Sequence, residues 1–312
     1  MGVIIPTRNR PSQLKLLLRS IAHLDELPTQ VVVVSSGQDV TGIINEFSNE
    51  LFITHEHMTA AGQIVQKIQA IKLLHKEINW VLTVDDDMQV DANLFRNFKA
   101  FIHENRQPKV LGVGLNLNSV NRPKEKSLSH FLGAFFWLSG PPGSVLKNGH
   151  PVGYSHLQIE ICTQWLNGAS IWDRAMLDTY DAEFLHSQYS AYEDVIFSYG
   201  ASKLGKLKYS PSCKLYFQDQ QSEDVSNFEV FHSASYWRFY FVGSNSELSV
   251  LGLLWSQIGR SLDFTYRTSG GLGSKVKAFT SSMSIFFDLV FFTIFRTDPL
   301  KVLKLRLKRT NN

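Results

Sequence analysis

Apolar positions along the chain fall into two kinds of run. Short continuous ones, Val3-Ile4-Ile5-Pro6, residues 31–35 and Trp80-Val81-Leu82-Thr83-Val84, are rich in β-branched residues and read as strands buried on both faces. Between them the spacing turns helical. Leu14, Leu17, Leu18, Ile21 and Ala22 form one stripe behind Pro11, a residue suited to a first helical turn. Residues 41–47 predict a short helix and 51–54 a third strand. Ile64, Ile68, Ile71 and Leu74 predict a long helix over 60–76. A helix over 91–104 and a strand over 110–115 complete the alternation, which predicts a parallel sheet.

The pattern changes after residue 115. Residues 116–126 are polar, carry Pro123 and read as a loop; 131–138 are apolar and aromatic, and Gly140-Pro141-Pro142-Gly143 turns the chain. Residues 158–165 alternate as a strand, broken by Asn167-Gly168-Ala169-Ser170. A helix is expected around 174–178, and a second opens at Ala191-Tyr192-Glu193-Asp194. An edge strand follows at 206–209. From Phe228 the chain is aromatic. Residues 284–295 are strongly apolar but hold Asp288, and the stretch is shorter than the roughly 20 residues of a spanning helix. Residues 298–309 set Lys301, Lys304, Arg306, Lys308 and Arg309 among leucines. Three segments are expected: 1–115, 116–227 and an aromatic, amphipathic, basic extension over 228–312.

Composition narrows the class. At 44% hydrophobic and 19% charged, the 312 residues belong to a globular chain. A net charge of +3 is too mild to imply nucleic acid. Cys162 and Cys213 lack metal-type spacing, which points to a reducing compartment. Strand residues begin at Gly2, so no signal peptide is expected ahead of the fold.

The chemistry concentrates at Asp85-Asp86-Asp87. A buried strand cannot hold ionised carboxylates in its interior, so they must emerge at its C-terminal end, the edge where open α/β sheets bind ligands. Hard oxygen donors crowded there suit Mg²⁺ or Mn²⁺ bridging to a diphosphate; the alternative is a solvated turn capping the next helix. Glu193-Asp194 is either a second catalytic pair or an acidic helix start. Asp39, Thr7 and Asn9 are turn residues or ligand contacts, and Arg8 and Arg10 are expected in solvent or at a phosphate. His55, His57 and His75 show no partner pattern. Gly112-Val113-Gly114 is only a fragment of a dinucleotide fingerprint.

In this order, Val3-Ile4-Ile5-Pro6-Thr7 with Asn9, residues 31–39, Val84-Asp85-Asp86-Asp87, Asn167-Gly168-Ala169 and Tyr192-Glu193-Asp194 resemble a family 2 glycosyltransferase of GT-A fold. The resemblance covers about residues 2–209. It implies a Rossmann-like, mostly parallel sheet flanked by helices, and transfer of a sugar from a nucleotide-diphosphate donor to an acceptor hydroxyl with inversion. Carried over, Pro6, Thr7 and Asn9 line the nucleotide pocket and Asp39 meets the base, usually uracil. Asp85 and Asp87 form the outer positions of a DxD, Asp87 on the metal and Asp85 on the ribose or the metal, with Asp86 between them on the donor side. Gly168 and Ala169 pass the donor sugar, and Asp194 beside Glu193 is the base. Gln66-Lys67 stands where an Arg-Asn pair is common, so Lys67 becomes the replacement phosphate or ribose contact. Gln218-Asp219 stands where many members have a metal-binding His. No QxxRW appears around Tyr236-Trp237-Arg238, which disfavours a processive polymerase.

The expected partners are a UDP-linked or dTDP-linked sugar and a glycan or lipid-linked acceptor, as in bacterial surface polysaccharide assembly. The basic tail is expected on the inner face of the plasma membrane, or packed in the fold or a dimer. Two other functions remain open: a nucleotidyltransferase, disfavoured because Thr7-Arg8-Asn9-Arg10 lacks Gly, and a non-catalytic sugar-binding protein of the same fold.

Overall fold

The computed structural model describes residues 1–59, 62–105, 109–118, 130–180, 191–218 and 227–307. Most of the loop expected over 116–126, the helix start at Ala60, Asp219, Lys308 and Arg309 lie outside the described residues. Contacts divide the chain into two units, residues 1–121, 153–189 and 193–220, and residues 122–152, 190–192 and 221–312.

The strands are β1 (Gly2–Arg8), β2 (Gln30–Ser36), β3 (Ile53–Met58), β4 (Trp80–Thr83), β5 (Met88–Val90), β6 (Val110–Asn118), β7 (Ile161–Thr163), β8 (Ser170–Asp173) and β9 (Lys206–Phe217). The helices are α1 (Pro11–Ala22), α2 (Thr41–Phe47), α3 (Gln63–Leu73), α4 (Leu94–Glu104), α5 (His130–Phe135), α6 (Arg174–Leu177), α7 (Glu193–Ser202), α8 (Asn227–Gly243), α9 (Val250–Arg267), α10 (Leu272–Ile294) and α11 (Pro299–Leu307).

In the first unit one sheet runs β3-β2-β1-β4-β8-β6-β9-β5, with β7 also on β9. The expected alternation holds through β4, where β1, β2, β3 and β4 are parallel. Beyond it the sheet is mixed. Strand β8, unforeseen in the sequence, lies antiparallel between β4 and β6. The stretch expected as an edge strand over 206–209 is instead the start of β9, which pairs with β5, β6 and β7. Pro211 sits where the β6–β9 register shifts, and the Asn116 side-chain amide donates to its carbonyl (3.1 Å), so the ladder tolerates the missing N–H.

Alternating strand residues fill two cores. Val3, Ile5, Val31, Val33 and Leu82 pack with α1, α2 and α4; Ile4, Val32, Val34 and Val81 pack with residues of α3, α6 and α7. Gly112 and Gly114 belong to this packing. A Cβ at Gly112 would lie 2.8 Å from the Trp172 ring, and one at Gly114 2.8 Å from the Tyr154 hydroxyl.

In the second unit α8–α11 bury Tyr236, Trp237, Phe241, Leu253, Ile285, Leu289 and Val302. Helix α10 spans 23 residues. The apolar stretch expected to be too short for a membrane span is thus part of a helix long and apolar enough by length and composition. One face of α10 is buried through Ala278, Ser282, Ile285, Leu289 and Phe292, while Val276, Phe279, Phe287, Phe291 and Ile294 are exposed on the other. Asp288 accepts from the Tyr236 hydroxyl (2.7 Å) and pairs with Arg306 (2.6 Å).

Candidate active site

Parallel pairing brings the ends of β1, β2 and β4 to one edge, with Thr7 opposite Ser35 and Val84 N–H donating to Ile4 C=O (3.2 Å). Because β8 runs antiparallel to β4, with Ser170 opposite Thr83, the chain enters β8 at this same edge. Gly168 therefore arrives beside Asp85. The Thr83 hydroxyl fixes it by donating to its carbonyl (2.7 Å).

The three aspartates point different ways. Asp86 is buried; it accepts from the Thr7 hydroxyl (2.7 Å) and from Arg10 Nη1 (3.1 Å). Burial holds its carboxyl above the ordinary range, against the pull of Thr7 and Arg10. Thr7 and Asp86, expected as ligand contacts, are thus spent on each other. Arg10 is not solvated as expected, since it lies between Asp86 and Asp87, 3.8 Å from the latter. Asp87 is partly exposed, and burial together with Asp85 and Asp86 pushes it up to about 6. Asp85 Oδ1 accepts from Gln63 Nε2 (2.8 Å), a contact that no motif signals.

The nucleotide-side residues are also tied into the fold. Pro6 is buried within β1 opposite Val34. Asn9 adopts φ 55° and its Oδ1 accepts from Gln38 N–H (2.9 Å). Gly37 (φ +77°) permits that clasp, because a Cβ there would lie 2.2 Å from Asn9 Oδ1. Asp39 is exposed and accepts from Thr41 N–H (2.9 Å) and Oγ1 (2.6 Å), bonds that lower its pKa. His55 and His57, assigned no role from sequence, both bond the Ser35 hydroxyl, at 2.9 and 3.0 Å. Gln66 is a cross-tie rather than a ligand, its amide donating to the carbonyls of Thr7 (2.8 Å) and Val34 (2.9 Å).

The second acidic pair opens α7. Glu193 is buried; its Oε1 is 2.5 Å from Lys67 Nζ, and its Oε2 accepts from the Tyr180 hydroxyl. Burial alone would lower the Lys67 pKa, but Glu193, Asp85 and Asp194 outweigh it and raise it. Asp194 is pushed up to about 7 by burial and by Glu193, against the pull of Lys67. A Cβ on Gly168 would stand 3.6 Å from Asp85 Oδ2 and 3.7 Å from Lys67 Nζ. Lys67 thus joins a carboxylate just after β4 with those opening α7, groups more than a hundred positions apart. The cleft is lined by Lys67, Asn167, Gly168, Tyr180, Glu193 and Asp194. Ala169 is buried in the sheet core and does not line it.

Among the described residues no three His, Cys, Asp or Glu side chains form a metal cage. The donor set still fits a small hard cation. Asp85 and Asp87 offer carboxylate oxygens, and Mg²⁺ or Mn²⁺ is commonly bound by one or two carboxylates with the remaining positions left to water and substrate phosphate. Gln218 stands where a metal-binding His is common. Its backbone N–H donates to Asp87 C=O (2.9 Å) and its amide to Asp86 (3.2 Å) and Met88 (2.9 Å) carbonyls. Its Oε1 is buried without a hydrogen-bond partner.

Residues 2–152 match the family model for glycosyl transferase family 2. No curated protein matches the chain. Among solved structures, residues 1–349 of Staphylococcus aureus TarS in complex with UDP-GlcNAc superpose with a TM-score of 0.60 at 17% identity, over 99% of this chain and 91% of that one. A longer TarS structure gives 0.54 at 19% identity; the match covers 87% of this chain and 44% of that one, so this chain spans less than half its length. Mannosyltransferase PcManGT from Pyrobaculum calidifontis, in complex with GDP-Man and Mn²⁺, gives 0.51 at 12% identity, over 100% of this chain and 87% of that one. These likenesses establish the GT-A-like fold and its helical C-terminal region.

Proposed function

From a chain whose residues 2–152 match glycosyl transferase family 2, we propose an enzyme that moves a sugar from a nucleotide-diphosphate donor to an acceptor hydroxyl with inversion. The observation that carries this reading is the junction at Lys67, whose ammonium interacts with Asp85 and with the Glu193–Asp194 pair beside a cleft that Lys67, Gly168, Glu193 and Asp194 line.

The residues divide the work. Asp194 takes the acceptor proton; a carboxylate held near 7 suits a general base at neutral pH. Glu193, with both oxygens engaged, fixes Lys67 and the start of α7 rather than moving a proton itself. Gly168 leaves space for the sugar between Asp85 and Asp194. A divalent cation on Asp85 and Asp87 would neutralise the leaving diphosphate as a Lewis acid. A UDP-linked donor is favoured, supported by the UDP-GlcNAc and UDP complexes of TarS.

The acceptor we assign is a lipid-linked glycan, as in surface polysaccharide assembly, reached from a membrane surface. The exposed Phe279, Phe287 and Phe291 on α10, with Lys275, Lys277 and Arg296 near its ends, suit the interface of an anionic bilayer. Phe287→Ser with Phe291→Ser is expected to leave the protein in the supernatant under conditions where the parent sediments with anionic vesicles. Equal sedimentation would remove the membrane contact.

The transfer reading is tested by a donor-hydrolysis screen across nucleotide sugars with Mn²⁺, together with calorimetry of UDP binding. Mn²⁺-dependent UDP binding is expected in the parent and lost in Asp87→Ala. Binding unchanged by Asp87→Ala, or no hydrolysis of any donor, would overturn it.

A further inference from the structure

The second unit buries guanidinium nitrogens of two arginines that have no counter-charge among the described residues. Arg238, on α8, is 0% exposed. Its Nε donates to the Asn148 carbonyl (3.0 Å) and its Nη2 to the Ser256 hydroxyl, but its Nη1 is buried with no partner. Arg260, one helix on, also has a buried Nη1 with no partner, and its guanidinium lies 5.5 Å from the Phe231 ring centre. The two arginines and His150 are close enough to repel. No Asp or Glu among the described residues pairs with either arginine.

The loop bearing His150 is built tightly over this pair. Gly149 (φ +77°) has no room for a side chain: a Cβ would lie 2.5 Å from Val242 and 3.5 Å from Arg238 Cγ. The Asn148 amide donates to the Trp137 carbonyl (2.6 Å), and the Tyr192 hydroxyl to the Gly149 carbonyl (3.3 Å). Arg238 is therefore held fully buried, while His150 and Arg260 keep some exposure.

A guanidinium does not shed its proton in a protein, so this charge cannot be relieved by titration. Leaving it buried and unpaired is strongly unfavourable, and apolar residues of similar volume would be preferred if packing were all that was required. Two adjacent forked donors match the oxygens of a phosphate group, a dianion that also balances both charges.

We propose that Arg238, Arg260 and His150 form a phosphate-binding site in the helical unit, taking a phosphate monoester or diphosphate through the two free Nη1 groups. The site is independent of the transfer reading, because it uses none of the residues assigned to transfer.

The test uses the full chain, with inorganic phosphate and pyrophosphate titrated at constant ionic strength and followed by calorimetry and by Tm. Saturable binding is expected in the parent. Arg260→Gln should weaken it roughly tenfold, the worth of a charge-assisted hydrogen bond. Arg238→Met should abolish it while leaving the ligand-free Tm equal or higher. Asp87→Ala should bind phosphate as the parent does. Absent saturable binding, affinity unchanged in Arg260→Gln, or loss of binding in Asp87→Ala would each overturn the site. Two further arms, in the Asp87→Ala protein, identify the source: UDP reads a nucleotide diphosphate, and a short-chain, monomerically soluble phosphatidate, which offers α10 no bilayer, reads a lipid headgroup. Binding no tighter than that of inorganic phosphate in both assigns a free phosphate.

Discussion

Replacing Lys67 by Met is the sharpest perturbation the structure offers. Lys67 and Glu193 are 6% and 7% exposed at the side chain, with 2.5 Å between charged atoms. Removing one partner of such a pair leaves the other charge buried and alone, which costs about 3–5 kcal/mol. For a chain of this size that corresponds to a fall in Tm of roughly 5–8 °C. Lys67→Met combined with Glu193→Gln should recover most of that loss, because neither charge then remains uncompensated. Activity should not return in the double variant. Lys67 also holds the Asp194 carboxyl down, so in any active Lys67→Met protein the acidic limb of the kcat–pH profile should move above the parent's limb near 7. Urea denaturation of the parent and both variants, with donor hydrolysis measured across pH, reads all three effects. A Lys67→Met protein within about 1 kcal/mol of the parent would behave like an exposed pair and refute the reasoning.

Other outcomes follow from the same geometry. Asp194→Asn should lower turnover by roughly 10²–10⁴-fold with UDP binding retained; full turnover would exclude it as the base. Asp87 at about 6 and Asp194 at about 7 both titrate above their ordinary carboxylate value, so the folded protein holds protons the unfolded chain has released. Stability of the metal-free protein should therefore fall as pH rises from about 4 to 7 and level off above it, and Asp194→Asn should flatten the upper part of that slope. Denaturation midpoints across this range check the sign. Gly37→Ala should destabilise by about 1–3 kcal/mol, since it forces a side chain to φ +77° against Asn9, and thermal unfolding reads it directly.

The parts of the fold legible in the sequence were those with unbroken local signals. Strands β1, β2 and β4 are continuous apolar runs, and α1 announces itself by Pro11 and its leucines. Strand β8 is four residues long and follows Asn167-Gly168, so its local pattern cannot be told from a loop; its place is decided by β4 and β6. Pro211 and the lysines around it hid the length of β9. Serines concealed the first half of α10, which is held by tertiary packing on its buried face. At the site, sequence pointed to Lys67, Gly168 and Asp194, which line the cleft, and to Asp85, whose carboxylate lies near Gly168. It could not show that Asp86 and Thr7 satisfy each other, that Ala169 is core, or that Gln63, Tyr180 and Arg10 serve the acidic groups. Those assignments depend on which way a side chain turns once distant strands are paired.

The position of β8 also bears on how the chain can be divided. Strands β4 and β6 are each hydrogen-bonded to β8 and are not neighbours of one another. A fragment ending at residue 152, where the family match stops, would lack β7, β8 and β9: only β3-β2-β1-β4 would remain paired, with the β4 edge open and β5 and β6 without partners. Continuity of the sheet and arrival of Gly168 beside Asp85 are one closure event. Expression of that fragment should give an aggregating chain, and supplying residues 153–218 in trans should be a condition of its becoming compact.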